Sequence, residues 1–318
     1  MSDTTQPPDT KPTPQDNLVT THHTVTIDGQ TIAYTVTTGA IVLKEEAEKK
    51  GEDEGASDGE KPKASIFFVA YTKDDVEDPA SRPLTFSFNG GPGSSSVWLH
   101  MGVLGPRRVL LDDDGFALKP PYRLVDNEAS LLDVTDLVFI DPVSTGYSRP
   151  APGEKAKDFH GFTKDVESVG DFIRLYTSRY RRWLSPKFLI GESYGTTRAS
   201  GLSGYLQQRH GLWLNGIMLV SSILDFQTAR FNPGNDLPYI LFLPTYAATA
   251  WYHGCLPAEL QALPLAELLV QVERFALGDY ALALLQGAAL PAGQRAAIAS
   301  QLARFTGLTE DYVERTDL

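Results

Sequence analysis

The sequence contains a single cysteine, Cys255, and this scarcity excludes two kinds of structure. A lone thiol cannot close an internal disulfide, and it cannot build a zinc site that needs several cysteines. Apolar runs are equally scarce, because none approaches the length of about eighteen residues expected of a membrane-spanning helix. The sequence therefore indicates no metal site, no cofactor and no membrane span.

Positive charge is also limited. The sequence has 28 lysines and arginines and 40 aspartates and glutamates, so its net charge is −12. Nucleic-acid-binding proteins neutralise phosphates with a basic face, so this balance argues against a nucleic-acid partner. Residues 1–16 are rich in proline, threonine and aspartate without an apolar centre, unlike a secretory signal. We expect a cytoplasmic protein, with a processed secreted or periplasmic protein as the alternative, and the oligomeric state stays open.

The composition along the chain predicts two folded regions. With 318 residues, of which 42% are hydrophobic, the chain can bury a large core and a smaller one. Residues 1–17 have the composition of a disordered tail, and the segment 44–63, with thirteen charged residues in twenty, predicts a solvated loop. Residues 226–318 are rich in alanine and leucine. We predict a core domain over 18–225 and an incomplete helical cap over 226–318.

The pattern of apolar residues predicts an α/β fold. Strands are expected at 65–71, 84–88, 136–141, 187–190 and 216–221, and helices at 162–182 and 196–210. This alternation implies parallel crossovers and a sheet that is covered on both faces. Asp28-Gly29 lies within an alternating segment and predicts a hairpin. The cap is expected to hold helices at 240–253, 265–285 and 293–305.

The most informative segment is Gly191-Glu192-Ser193-Tyr194-Gly195, which lies between a predicted strand and a predicted helix. A Gly-x-Ser-x-Gly sequence in this context is the nucleophile elbow of α/β hydrolases. Its glycines let the strand and the helix approach a strained turn that presents the serine hydroxyl to a base. The motif predicts an α/β-hydrolase fold, with a mostly parallel sheet flanked by helices, and Ser193 as the catalytic nucleophile.

A glycine-rich loop, Asn89-Gly90-Gly91-Pro92-Gly93-Ser94-Ser95-Ser96, follows the strand predicted at 84–88. In an α/β hydrolase the oxyanion hole takes one N–H donor from such a loop and one from the residue after the nucleophile. Gly91 and Tyr194 are the candidates. A phosphate-binding loop is the alternative, but no Gly-Lys-Ser/Thr follows, and residues 97–100 lack a dinucleotide-binding fingerprint.

These two motifs, with Asp141-Pro142-Val143-Ser144-Thr145-Gly146-Tyr147-Ser148 between them, resemble three consecutive blocks of the serine carboxypeptidases over residues 65–225. The resemblance implies that Ser193 forms an acyl-enzyme and that Asn89 and Glu192 bind the C-terminal carboxylate of a peptide or protein. Gly90 and Gly93 would support the loop. Two carboxylates in contact must share a proton, which predicts activity at acidic pH.

The chain departs from the family pattern at three positions. Val103 stands where a glutamate is usual, Ser87 where a tryptophan is common, and Ser94 where a cysteine is common. The missing glutamate weakens the case for carboxypeptidase specificity and leaves the hydrolase chemistry untouched. An esterase or acyltransferase on the same scaffold is therefore the alternative function.

The catalytic partners of Ser193 are the least evident part of the sequence. This chemistry needs an acid and a histidine base after the nucleophile, and only two histidines follow it, His210 and His253. We expect His210 to face solvent at the end of its helix. The pair His253 and Asp225 is an alternative base and acid.

No strong strand is evident after residue 221, which also leaves the hydrolase sheet incomplete. We expect the chain to stop inside the cap, with the last strands and the triad Asp and His beyond residue 318. A catalytically inactive fragment that acts as a binding module is a further alternative. His100 is expected to be packed or at the surface, and His22-His23 lacks further ligands for a metal.

Overall fold

The computed structural model describes residues 13–48 and 57–318 of the chain. It divides into two compact units, Met1–Leu224 and Asp225–Leu318. Most of the tail predicted over residues 1–17 lies outside the described residues, and the first strand begins at Asn17.

The first unit contains ten strands and three α-helices within its described residues. The strands are β1 (Asn17–Ile27), β2 (Gln30–Glu48), β3 (Ser57–Lys73), β4 (Leu84–Phe88), β5 (Arg107–Val109), β6 (Leu124–Asp126), β7 (Asp136–Ile140), β8 (Arg149–Pro150), β9 (Lys187–Glu192) and β10 (Gly216–Val220). The helices are α1 (Val97–Leu99), which continues as a π-turn over His100–Leu104, α2 (Phe162–Arg179) and α3 (Tyr194–His210). Each predicted strand and helix of this region is present, with bounds that differ by at most three residues except at β3, which begins eight residues before the predicted strand.

The main sheet has the order β1-β2-β3-β7-β4-β9-β10, with β8 paired to β3. The neighbours among β7, β4, β9 and β10 are parallel, as the alternation of strands and helices predicts. The neighbours among β1, β2, β3 and β7 are antiparallel, so the sheet is mixed. The β1–β2 link is the two-residue hairpin turn Asp28-Gly29, with φ of 47° and 76°, and so short a link cannot make a parallel crossover.

Both faces of this sheet are buried in its centre. Side chains of β7 alternate between two apolar clusters: Val138 and Ile140 pack with α2 and α3, whereas Leu137 and Phe139 pack on the opposite face. This alternation follows from the two-residue period of a strand. The edge strand β10 is not covered in this way, because its apolar side chains are exposed on both faces: Ile217 on one, and Met218 and Val220 on the other.

The segment predicted as a solvated loop, 44–63, is a β-ladder in its described part. Strand β2 continues to Glu48 and β3 starts at Ser57, with Glu45 opposite Lys61. Lys61 Nζ lies 3.0 Å from Glu45 and Lys44 Nζ lies 3.4 Å from Glu60. The loop prediction was wrong here because opposite charges meet across the two strands, which favours pairing. Residues 49–56 lie outside the description.

The second unit is helical in its described fold. Its helices are α4 (Leu237–Tyr252), α5 (Ala258–Gln261), α6 (Leu265–Phe275), α7 (Ala281–Gln286), α8 (Ala292–Thr306) and α9 (Glu310–Arg315). A π-turn over Ala276–Tyr280 divides the helix predicted at 265–285 into α6 and α7. Leu268, Val272 and Leu302 belong to its own apolar core. Across the described residues of the chain, no helix has both the length and the apolar character needed to cross a membrane.

Candidate active site

Ser193 lies on the sharp turn between β9 and α3. Its backbone has φ 56° and ψ −125°, a conformation that residues with side chains rarely adopt. The Ser193 N–H donates to the carbonyl of Val220 at 2.9 Å, and the Ser193 carbonyl accepts from Thr196 Oγ1 at 2.7 Å. These bonds hold a strained backbone at the end of a sheet strand, and the Ser193 side chain is only partly buried.

The two glycines of the elbow sit where backbones approach closely. A Cβ on Gly191 would collide with the carbonyl of Gly195, and a Cβ on Gly195 would lie 2.8 Å from the carbonyl oxygen of Phe88. The first contact lies within the elbow, and the second joins it to the end of β4. Glycine is therefore required on both sides of Ser193 for steric reasons.

The glycine-rich loop packs directly against this elbow. A Cβ on Gly90 would meet the N–H of Tyr194, and it would lie 2.7 Å from both the Glu192 carbonyl and the Gly195 nitrogen. Gly91 and Gly93 have φ of 107° and 115°, values that favour glycine. The structure thus brings the backbone of Gly90, the residue before Gly91, beside the backbone of Tyr194.

The two residues expected to bind a substrate carboxylate are in contact. Asn89 Nδ2 donates to Glu192 Oε2 at 3.0 Å, and Asn89 Oδ1 accepts from the N–H of Leu99 at 3.0 Å. Asn89 is almost fully buried, whereas Glu192 is partly exposed. Val103, at the position where the family usually has a glutamate, is exposed.

Asp141 lies directly after β7 and connects the segment 142–148 to the glycine-rich loop. Its carboxylate accepts from the N–H of Ser96 at 2.9 Å and from the N–H of Tyr147 at 3.3 Å. Burial raises the pKa of Asp141, and these two donors act in the opposite direction. A Cβ on Gly146 would collide with the Asp141 carboxylate. These contacts stabilise the turn after β7 and connect it to the glycine-rich loop.

Sequence reasoning missed a buried ion pair behind the elbow, Arg198 with Asp165. Arg198 Nε donates to Asp165 Oδ2 at 2.8 Å, and Arg198 Nη1 donates to the carbonyl of Asn89 at 2.7 Å. The guanidinium lies over the rings of Phe88 and Tyr194, at 5.2 and 5.1 Å from their centroids. A signal for it exists in the sequence, because Asp165 interrupts the apolar stripe of α2.

A cavity of about 450 Å³ adjoins the elbow on the side of this ion pair. Its wall includes Gly93, Val143, His160, Tyr194 and Arg198. Burial, with the nearby Asp165 carboxylate, raises the pKa of Tyr194 to about 12, so this phenol stays neutral at ordinary pH. The cavity is large enough for an amino-acid side chain.

Two histidines of the first unit, His100 and His210, are packed against neighbouring side chains. His100 stacks on Phe139 with ring centroids 4.4 Å apart, and its Nε2 lies 2.6 Å from Tyr71 Oη. Burial lowers the pKa of His100 to about 4. His210 was expected to face solvent, but its Nε2 lies 3.1 Å from Asp171 and its ring packs on Tyr205. That prediction was wrong because α2 supplies a hydrogen-bond partner at the end of α3.

No described histidine of the first unit is hydrogen-bonded to the Ser193 side chain. His22 and His23 bond to threonine hydroxyls, and the described residues contain no group of three or more possible metal ligands. His253 is exposed in the second unit, and Asp225 caps a short 3-10 turn by accepting from the Gln227 N–H at 2.9 Å.

The parallel strands, the strained serine turn and the glycine-rich loop define the fold of an α/β hydrolase. Residues 55–228, more than half of the chain, match the family model described as "Serine carboxypeptidase". The chain belongs to the serine carboxypeptidase family, which confirms the resemblance seen in the three sequence blocks.

Several known proteins are similar to this chain. The pheromone-processing carboxypeptidase KEX1 of Saccharomyces cerevisiae is 34% identical over 148 residues, which cover 44% of this chain and 19% of that protein. Serine carboxypeptidase-like 29 of Arabidopsis thaliana is 27% identical over 159 residues, which cover 47% of this chain and 31% of that protein. The crystal structure of a prohormone-processing carboxypeptidase from S. cerevisiae is matched with a TM-score of 0.45 and 21% identity, over 85% of this chain and 53% of that one. The chain thus spans less than a third of the length of these two sequence relatives.

Proposed function

We propose that this chain carries the nucleophile, the oxyanion donors and the carboxylate-binding residues of a serine carboxypeptidase. The observation that supports this most directly is the elbow itself, in which Ser193 has a strained backbone while Gly90 of the glycine-rich loop packs against Tyr194. This arrangement offers a nucleophile and two backbone donors at one end of the sheet, as acyl transfer requires.

The reaction starts when Ser193 Oγ attacks the carbonyl carbon of the last peptide bond and its proton passes to a base. The oxyanion that forms accepts hydrogen bonds from the N–H groups of Gly91 and Tyr194, each contributing about 3–4 kcal/mol in hydrolases of this kind. Collapse of the tetrahedral intermediate breaks the C–N bond, and the departing amine takes the proton. Water then attacks the acyl-enzyme, releases the shortened peptide and restores Ser193.

Asn89 and Glu192 are proposed to bind the C-terminal carboxylate of the substrate. Their hydrogen bond fixes both side chains beside the elbow. Asn89 can donate its remaining amide hydrogen, and Glu192 can bond a second carboxylate when one proton is shared between them. Substrate binding is therefore expected to be stronger at acidic pH.

The base is proposed to be a histidine, oriented by an aspartate, from sequence that follows residue 318. The reason is that no described histidine of the first unit is hydrogen-bonded to Ser193, while the chemistry of a serine nucleophile requires such a base. The alternative pair, His253 with Asp225, is tested by replacing His253 with alanine. If His253→Ala abolishes turnover while the fold is kept, the base lies within these 318 residues.

The test is release of the last amino acid from an N-blocked dipeptide at acidic pH. It is made with the 318-residue chain and with any longer form of the protein that its gene encodes. In an active protein, Ser193→Ala is expected to lower turnover by about 10³-fold or more, because the nucleophile is lost. Ser200→Ala, on the same helix, is the matched control and should retain activity. Unchanged turnover in Ser193→Ala would contradict the proposal, and peptide binding without release would identify a binding module.

An esterase or acyltransferase is the second candidate, and exposed Val103 in place of glutamate favours it. A peptide, its ester and its C-terminal amide separate the two functions. A carboxypeptidase prefers the free acid to the amide, and Val103→Glu should strengthen that preference. If amidation of the C-terminus has no effect, carboxylate recognition by Asn89 and Glu192 is wrong and the second candidate is favoured.

A further inference from the structure

Arg198 connects three parts of the first unit that meet behind the nucleophile. It lies on α3, which begins directly after Ser193, and its side chain is 1% exposed. Its Nε bonds Asp165 of α2 at 2.8 Å, and its Nη1 bonds the carbonyl of Asn89 at 2.7 Å. A buried guanidinium is costly unless its charge is paired and its donors are used, so this geometry is strongly determined.

The bond to Asn89 acts on the loop that carries the proposed oxyanion donor. The Asn89 carbonyl shares a rigid peptide plane with the N–H of Gly90, because the peptide bond is planar. Holding that carbonyl fixes the plane at the first residue of the loop. Gly90 and Gly91 lack side chains that could anchor them, and Gly91 has a φ of 107°. The loop therefore depends on bonds made by its neighbours.

We propose that Arg198, held by Asp165, is a positioning residue that fixes the Asn89–Gly90 peptide plane and so aims the Gly91 N–H at the oxyanion. This inference rests on the proposed function for its catalytic consequence only. Its structural part, a loop whose order depends on a guanidinium behind it, is measurable without any turnover. A role in general core stability predicts a different result, namely a uniform loss of stability over the whole first unit.

The double variant Arg198→Met/Asp165→Leu separates these two roles. It removes both buried charges together, so neither is left unpaired, and it keeps apolar bulk at both positions. The carbonyl of Asn89 nevertheless loses its donor. Arg182→Met is the matched control, because Arg182 is also buried and pairs with Asp136 at 2.6 Å at the start of β7, the opposite end of the strands from Ser193. Asp136 keeps Arg82 as a partner there.

The readout is hydrogen–deuterium exchange of the backbone amides of residues 89–93, except Pro92, which has no N–H, compared with the amides of β7 and α2. In Arg198→Met/Asp165→Leu we expect exchange of 89–93 to rise about tenfold or more while the β7 and α2 amides change less than about twofold. Arg182→Met should show no selective change at 89–93. Unchanged exchange at 89–93 in the folded double variant, or a uniform rise across the unit, would overturn the proposal.

Arg198→Lys provides a second variant if the double variant does not fold. A lysine is a single point donor and cannot hold Asp165 and the Asn89 carbonyl in the planar arrangement of a guanidinium. We expect intermediate exchange at 89–93, and wild-type exchange there would again overturn the inference. In a protein that turns over peptide, kcat should fall about 10- to 100-fold and KM less than about threefold. If Ser193→Ala leaves turnover unchanged while 89–93 exchange rises as expected, the proposed function fails and the positioning role stands.

Discussion

Asn89 and Glu192 are 103 positions apart in the chain, and their side chains meet at 3.0 Å beside Ser193. The contact links the glycine-rich loop to the elbow through side chains, in addition to the close backbone approach at Gly90. The two proposed carboxylate-binding groups therefore do not act separately, because a change in one alters the orientation of the other.

Replacing Glu192 should affect substrates with a free C-terminal carboxylate. Glu192→Ala removes one hydrogen-bonding group and leaves Asn89 without its acceptor, so KM should rise about 10- to 100-fold. Glu192→Gln retains an acceptor for Asn89 and should have a smaller effect, with a weaker dependence of KM on pH. The measurement is steady-state kinetics between pH 4 and 8. The same variants assayed on a C-terminal amide should show little change in KM, and an equal rise there would argue against the assignment.

Gly90→Ala should separate the loop from the elbow. The new Cβ would lie 2.7 Å from the Glu192 carbonyl and from the Gly195 nitrogen, both of them backbone atoms that cannot move aside cheaply. We expect turnover to fall about 100-fold or more, since the oxyanion donors are displaced. Gly204→Ala on α3 is the control. The new Cβ would meet open space, so the free energy of unfolding, measured by thermal denaturation, should rise by about 1 kcal/mol. Full activity in Gly90→Ala would contradict the described packing.

His100 should make stability depend on pH. Burial lowers its pKa from the ordinary value of 6.5 to about 4, so the unfolded chain binds a proton at a higher pH than the folded protein does. The neutral His100 ring therefore contributes to the free energy of unfolding in full above pH 6.5, and this contribution is lost as the pH falls from 6.5 to 4. Its total is at most about 3 kcal/mol. Urea unfolding of the wild type and of His100→Gln over this range measures it. A difference between the two proteins that does not change with pH would refute it.

Thr177 offers a stabilising substitution. Its hydroxyl is fully buried in α2 and has no hydrogen-bond partner among the described residues. Thr177→Val replaces the unpaired hydroxyl with a methyl group of similar size, and the free energy of unfolding should rise by about 1 kcal/mol. Thr196→Val is the contrasting variant, because the Thr196 hydroxyl bonds the carbonyl of Ser193 at 2.7 Å, and it should destabilise the protein. Both are measured by denaturant unfolding.

The elbow and the glycine-rich loop could be predicted from sequence because their geometry is local. A serine between two glycines, placed after a strand and before a helix, has few backbone conformations that avoid collisions, and the structure has the strained one. The parallel direction of β4, β7, β9 and β10 follows from the alternation of strands and helices along the chain. These features need no knowledge of which residues meet in space.

The Arg198–Asp165 pair could not be predicted in this way, because Asp165 in the apolar stripe of α2 indicates a buried charge but does not identify its partner. An arginine in a helix is usually solvated, and its burial here depends on the distance between α2 and α3 and on the position of the Asn89 carbonyl. The loop prediction for the segment 44–63 was wrong for a related reason. A count of charges cannot distinguish a loop from two strands whose opposite charges face each other, as Glu45 and Lys61 do.

The elbow is hydrogen-bonded to the outer strand of the sheet. The N–H of Ser193 donates to the carbonyl of Val220, the last residue of β10, and no described strand pairs with the outer side of β10. Outer strands are the first to fray when a sheet opens locally. One of the hydrogen bonds that hold the serine turn therefore depends on the order of this outer strand, and a further strand paired with β10 would stabilise that bond without contacting the elbow.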